Sequence, residues 1–158
     1  MTRALALAAA SVALAGCSFV RAPRVEHVGV RELERTQSRA VYAFRFRATN
    51  PNGDPIPLGE VRYTVFMDGR AVFSGVRSPE TTLGTYADRE FEVPAVLDTD
   101  TIDLSGIVDY RVDGALTYIP PGRFGQELYR SNVHVPTVEF RAPGRVDTDA
   151  PSESGGGP

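Results

Sequence analysis

Few side chains in this sequence have the type and spacing that chemistry requires, and the most informative is the single cysteine. Cys17 follows a start with one positive charge, Met1-Thr2-Arg3, and an apolar run over residues 4–13. A charged start, a short apolar centre and small residues before a break are typical of a secretory signal. The run is too short for a membrane-spanning helix, which needs about 20 apolar residues. The pattern predicts an exported protein with its only thiol at the end of the leader.

The four residues Leu14-Ala15-Gly16-Cys17 resemble the lipobox of bacterial lipoproteins. The resemblance implies cleavage before Cys17, a diacyl group on the thiol and usually a third acyl chain on the new amino terminus. Residues 1–16 are then a signal peptide and residues 17–24 a lipidated tether. Two acyl chains already suffice for stable attachment to a bilayer. The alternative is an ordinary signal peptide with a chance cysteine.

Ser18 bears on location, because many Gram-negative lipoproteins of the inner membrane carry an aspartate at that position. By this rule of the family, the resemblance implies a bacterial envelope protein on the outer membrane, facing the periplasm. The partner it implies first is membrane lipid, bound through acylated Cys17.

The histidines and one group of aspartates are the residues that could bind a metal ion. His27 and His134 are about a hundred residues apart, and a zinc site needs three or four ligands. The aspartates lack the glycine and the bidentate glutamate of a calcium loop; they are Asp98, Asp100 and Asp103. We expect surface histidines, one capped helical turn or solvated turn at the aspartates, and no metal or cofactor.

Motifs for catalysis and for nucleic-acid binding are missing from the sequence. There is no Gly-x-Ser-x-Gly elbow, and the glycine spacings near Gly155 have no strand before them, so they do not form a phosphate cradle. The net charge of −3 argues against a nucleic-acid partner, which needs a concentrated basic surface. The sequence predicts a protein that is not an enzyme.

The stretch over residues 39–52 organises the rest of the chain. Its side chains alternate strictly, with Tyr42, Phe44 and Phe46 on one side and Arg45 and Arg47 on the other. This period of two predicts a strand that buries its aromatics. The strand ends at a corner formed by Asn50, Pro51 and Asn52. We interpret these three as structural, with side-chain amides bonding corner backbone and proline fixing the bend; contact with a ligand is the alternative.

Further strands follow from the same alternation, separated by glycine, proline and aspartate. The dipeptide Asp68-Gly69 predicts a hairpin. The predicted strands cover residues 25–30, 39–49, 61–67, 70–75, 89–94, 107–119 with Gly114 as a bulge or bend, 123–129 and 134–140. Residues 31–38 should be a loop. About seven or eight short strands predict an all-β fold, an antiparallel sandwich over residues 25–142. Residues 143–158 should be disordered.

Three arginines are expected to share one exposed surface in this fold. Arg45, Arg47 and Arg62 should line one sheet face, either as a patch for anionic lipid head groups or as solvated charges. In the second case they would pair with Glu60, Glu90 or Glu92. Tyr63, in contrast, should join the aromatic core.

An ordered series of short motifs resembles the WHy domain (water stress and hypersensitive response) of the group-2 late embryogenesis abundant family. The series, over residues 25–140, is Asn50-Pro51-Asn52, Pro57-Leu58-Gly59, Val61, Tyr63, Val65, Asp68-Gly69, Gly75, Val93-Pro94, Gly114-Ala115-Leu116 and Val135-Pro136. The resemblance implies an immunoglobulin-like or fibronectin-type-III-like sandwich and a role in desiccation or stress protection, with stressed proteins as partners. The alternative is an envelope adaptor that binds one specific protein through its sandwich.

Overall fold

The computed structural model describes residues 20–149, which form two facing antiparallel sheets. The elements are β1 (Arg24–Arg35), β2 (Arg39–Thr49), β3 (Ile56–Met67), β4 (Arg70–Arg77), β5 (Thr82–Leu83), β6 (Asp88–Asp98), β7 (Ile107–Tyr118), α1 (Arg123–Arg130) and β8 (Thr137–Asp147). One sheet has the order β1-β2-β6, and the other has the order β4-β3-β7-β8 with β5 paired to β3. The prediction of an all-β sandwich with seven or eight strands is confirmed.

The core lies between the sheets and is built from the inward side of each alternating strand. Tyr42, Phe44 and Phe46 of β2 and Tyr63 of β3 are all buried, as predicted. Phe46 contacts rings from three elements, with centroids 5.5 Å from His27, 5.6 Å from Phe91 and 4.8 Å from Phe140. This cluster joins the two sheets, since Phe140 belongs to β8.

The hairpin between β3 and β4 turns at Asp68 and Gly69, as the dipeptide predicted. Both residues have positive φ, 46° and 78°. Two central residues with positive φ match the right-handed twist of the flanking strands. The turn fixes the β3–β4 register, in which Met67 faces Arg70.

Two predicted elements are wrong in extent or in type, and other strands, such as β6, continue past their predicted ends. The first strand continues to Arg35, so most of the loop predicted over residues 31–38 is strand; two bulges in β1 had interrupted its alternation. Residues 123–130 form a helix rather than a strand, because so short an apolar pattern fits both periods. Near Asp100 the chain forms the solvated turn, which was one of the two alternatives, and the Asp98 carboxylate accepts a hydrogen bond from the Asp100 N–H there.

The predicted disorder from residue 143 onward is wrong for residues 143–147, which complete β8. These residues pair with β7 as far as Ile107 and Asp147. Proline is tolerated because β8 is an edge strand. Gly144 is needed because a β-carbon there would overlap the ring of Tyr110. The composition of this segment is typical of a disordered tail, although its first residues form a packed edge strand.

Gly114 is not a bulge, because the pairing of β7 with β8 runs through it without a shift of register. Its role is close approach, since a β-carbon on Gly114 would overlap the ring of Phe140. We expect Gly114→Ala to lower the free energy of unfolding by about 1–3 kcal/mol through overpacking. Urea unfolding measures this.

A matched control for Gly114→Ala is Gly84→Ala, whose β-carbon would make an ordinary contact of 3.5 Å with Ala87. That change should alter stability by less than about 1 kcal/mol in either direction. Adding Phe140→Leu should recover part of the loss at Gly114, which a double-mutant cycle would report as coupling. Equal effects of the two glycine substitutions would contradict the overlap.

Candidate functional site

The corner after β2 is held together by the side chain of Asn50. Asn50 is 1% exposed. Its Nδ2 donates to the carbonyls of Asp54 at 2.8 Å and Gly84 at 2.9 Å. Its Oδ1 accepts from the backbone N–H and from Nδ2 of Asn52, both at 2.9 Å. All four hydrogen-bonding positions of the amide are thus used within the protein.

Asn52 fixes the segment that precedes the domain. Its Oδ1 accepts from the N–H of Arg21 at 2.8 Å, and its Nδ2 donates to the carbonyl of Arg21 at 2.8 Å. Pro51 lies half-buried between the two asparagines, and Pro23 is buried just beyond Arg21. The three motif residues therefore form a clamp on the incoming chain as well as a corner.

The same corner orders the turn between β5 and β6. The Tyr86 N–H donates to the Asn52 carbonyl at 3.1 Å, and the Thr85 hydroxyl donates to the Gly53 carbonyl at 3.1 Å. Tyr86 has a φ of 50°, which is uncommon for a bulky residue, and its side chain is 74% exposed. Sequence reasoning missed Tyr86, because nothing in its local pattern signals a left-handed backbone.

These segments meet at one end of the sandwich, which we name the entry end. It comprises residues 20–24, 50–57, 84–87 and 118–137, joined by backbone hydrogen bonds from Ile119 to Pro57 and from Tyr118 to Pro136. Tyr129 of α1 covers the start of β3, where a β-carbon on Gly59 would lie 2.9 Å from the Tyr129 hydroxyl. The chain leaves at the opposite end, where Asp147 pairs with Ile107.

The three arginines expected on one face are divided between the two sheets, so that prediction is wrong. Arg45 and Arg47 belong to β2, while Arg62 belongs to β3 in the other sheet. Alternation gave the outward direction correctly, but it does not say which strands share a sheet.

The outer face of the three-stranded sheet is covered by cross-strand ion pairs. Arg47 pairs with Glu90 at 2.7 Å, as the solvated alternative predicted. Glu92 pairs with Arg31 at 3.0 Å. On the other sheet Arg62 and Glu60 are 3.9 Å apart. Both sheets therefore carry charges of both signs on their outer faces.

The outer face of the five-stranded sheet carries a shallow open groove of about 840 Å³. The bottom of the groove is formed by short side chains, including Thr64, Ser74 and Ala115. The hydroxyls of Thr64 and Ser74 are joined by a hydrogen bond of 3.0 Å. Arg141 pairs with Asp113 at 2.9 Å along one wall. The groove offers charges and hydroxyls to a ligand together with apolar surface from residues such as Val76 and Phe140.

His27 is not the surface histidine that the sequence predicted. It is half-buried between the sheets, with Nε2 3.2 Å from the Tyr110 hydroxyl. Burial lowers the pKa of His27 and the nearby Arg45 guanidinium lowers it further, against a hydrogen bond with the Gly29 backbone. His134 is exposed, as expected.

The lowered pKa of His27 predicts a loss of stability on mild acidification. The unfolded chain binds a proton near the ordinary pKa of about 6.5, before the folded protein does, so the free energy of unfolding decreases as pH falls through that range. Above about pH 7 both states are neutral at this residue and the full stability is present. We expect His27→Gln to flatten this dependence, measured by thermal unfolding between about pH 7.5 and pH 5. His134→Gln is the control and should leave it unchanged; an identical slope in both variants would contradict the assignment.

Cys17 and the predicted signal peptide lie outside the residues that the structure describes. Among residues 20–149, no three or more His, Cys, Asp or Glu side chains come together in a way that could hold a metal ion. No helix within that range is long and apolar enough to cross a membrane.

Comparison with known proteins decides the family. The family model described as late embryogenesis abundant protein matches residues 45–151, which is more than half of the chain. The chain belongs to the late embryogenesis abundant family. The family predicted from the ordered motifs is thereby confirmed, while the WHy assignment and lipoprotein processing stay predictions.

Solved structures show how this late embryogenesis abundant domain compares in fold. A late embryogenesis abundant protein solved in solution is 19% identical, with a TM-score of 0.61 over 84% of this chain and 73% of that one. An Arabidopsis thaliana protein solved in solution is 17% identical, with a TM-score of 0.59 over 92% and 91%. A crystal structure from Archaeoglobus fulgidus is 17% identical, with a TM-score of 0.54 over 80% and 99%. At these identities the likeness concerns the fold. No curated protein matches the chain.

Proposed function

We propose that this chain is a non-enzymatic, lipid-anchored envelope protein of the WHy type within its family, serving in protection against desiccation and related stress. The observation that carries the proposal is the family match over residues 45–151. The lipid anchor is supported by Leu14-Ala15-Gly16-Cys17 directly after the apolar run. Envelope location follows from that anchor.

The surface of the sandwich suggests how protection works. Exposed ion pairs such as Arg47–Glu90 and Arg141–Asp113 contribute only about 0–1 kcal/mol each in water. They can therefore open at little cost, and their charges can bind polar groups of neighbouring proteins or lipids as water is withdrawn. Many such contacts together give weak, multivalent binding to the surfaces of those proteins or lipids.

Protection is tested with an enzyme that loses activity on freezing or drying. The purified protein should preserve that activity better than an equal mass of an inert protein. Residual activity after repeated cycles is the measurement. Equal activity in both samples would overturn the protective role.

Anchoring is tested by the mass of the mature protein. We expect cleavage before Cys17 and the added mass of a diacyl group and usually a third chain, with the unmodified precursor accumulating in Cys17→Ala. A mature chain without fatty acid would overturn the anchor and leave the protective role to be judged by its own experiment.

A second candidate is an envelope adaptor, and the groove on the five-stranded sheet favours it. This groove lies beside Val76 of β4, which is exposed and belongs to an edge strand with backbone groups open to pairing. A protein segment could bind there through backbone hydrogen bonds and the paired charges of the groove.

Capture from detergent-solubilised membranes separates this second candidate from the first. An adaptor should return one stoichiometric partner, which Ala115→Arg should abolish by filling the groove. Val96→Arg, on the exposed side of the other sheet, is the matched control and should retain the partner. Capture of no stoichiometric protein by the unsubstituted chain would remove the adaptor.

A further inference from the structure

The entry end of the sandwich concentrates exposed apolar side chains. Of the eight large apolar side chains exposed among residues 20–149, four lie at this end; they are Val20, Tyr86, Val133 and Val135. Tyr86 and Val133 are 74% and 72% exposed. Exposed apolar groups gathered at one surface are typical of contacts with a partner or a membrane.

Tyr86 is held outward by the fold. Its backbone is in the left-handed region, which costs a bulky residue of order 1–3 kcal/mol unless surrounding structure enforces it. Here the hydrogen bond from the Tyr86 N–H to the Asn52 carbonyl enforces it, and the ring lies beside Gly53. Strain that presents an aromatic ring to solvent indicates a contact made by that ring.

The chain before the domain decides which partner this is. Asn52 clamps Arg21, so the entry end is joined to Cys17 by only four residues. Four extended residues span at most about 14 Å. Acylation of Cys17 would therefore bring the bilayer to the entry end and to no other part of the domain.

We infer that the entry end rests on the lipid surface, with Tyr86 and Val133 at the level of the head groups. This rests on the proposed lipid anchor at Cys17. Tyrosine suits that position, since its ring is apolar and its hydroxyl stays hydrated. Exposed charges of both signs also lie at this end, including Arg21, Asp54 and Glu127, so vesicles of a lipid without net charge are the ones that test the apolar tips by themselves.

The chain contains no tryptophan, so a single introduced one reports its own surroundings. We would place Tyr86→Trp and, separately, Ile107→Trp in the full acylated protein reconstituted into phosphatidylcholine vesicles. Ile107 is 72% exposed but lies at the opposite end, about 36 Å away along strands of 11 residues. The two positions are thus matched in exposure and differ in distance from the anchor.

Lipids brominated along their acyl chains should quench Tyr86→Trp roughly twofold and leave Ile107→Trp unchanged, because interfacial rings lie next to the chains. Val133→Trp serves as a second reporter if Tyr86→Trp does not fold, and it should be quenched as well. Flotation with the vesicles is measured on the same samples. If the protein floats with the vesicles but the tryptophan fluorescence at positions 86 and 133 is not quenched, the inference is overturned and the anchor stands. If the protein carries no acyl chains and does not float, the anchor itself is overturned.

Discussion

Replacing Asn50 by aspartate should lower the free energy of unfolding by about 3–5 kcal/mol at neutral pH. The substitution keeps the shape and removes both donors, so the carbonyls of Asp54 and Gly84 lose their partners and face a buried negative charge. An unsatisfied buried carbonyl alone costs about 1–3 kcal/mol. Urea unfolding of the purified protein measures the loss.

The stability of Asn50→Asp should change with pH in a characteristic direction. The two carbonyls and burial should raise the pKa of the new carboxyl, so the variant should regain stability on acidification through that raised pKa and lose it as pH rises. The native protein contains the opposite case, because Arg35 lowers the pKa of Glu32 and that contribution is lost in acid.

Asn132→Asp is the control for this charge change, since Asn132 is exposed. It should alter stability by less than about 0.5 kcal/mol. A loss at Asn50 no larger than the loss at Asn132 would contradict the role of the amide network.

Truncating Phe46 to alanine should cost about 3–5 kcal/mol, the range for a fully buried aromatic. Phe46 is completely buried and contacts rings of His27, Phe91 and Phe140. Its loss leaves a cavity where the two sheets meet, so we expect a lower urea midpoint with cooperative unfolding retained.

Phe46→Leu and Val76→Ala are the control variants for Phe46→Ala. Phe46→Leu fills much of the same space and should cost clearly less than alanine does. Val76→Ala removes an exposed side chain and should change stability by less than about 0.5 kcal/mol. A cost below about 1 kcal/mol for Phe46→Ala would show that the ring cluster does not hold the sheets together.

Alternation in the sequence was enough to predict most strands and the aromatic core. It failed where the local pattern carries two meanings. The segment over residues 123–130 fits a helix as well as a strand, and the glycine and proline of β8 resemble a tail until the ring of Tyr110 is seen to need Gly144. For Gly144 the deciding contact comes from the neighbouring strand β7.

The candidate site was predictable in kind but not in extent. The amides of Asn50 and Asn52 were expected to bond the backbone of their own corner. Their partners Gly84 and Arg21 are 34 and 31 residues away along the chain, and periodicity contains no such contacts. His27 was misplaced for a similar reason, since a bulge in β1 obscures which side of the strand faces inward.

The chain enters at one end of the sandwich and leaves at the other, and this has a mechanical consequence. Strands β1 and β8 both run from the entry end to the opposite end, so a pull between the two termini acts along the strands. The hydrogen bonds between antiparallel strands are perpendicular to that direction. A force that pulls the two termini apart therefore shears the hydrogen bonds that β1 and β8 make with their neighbouring strands. In this geometry many hydrogen bonds must break together, and they cannot open one after another.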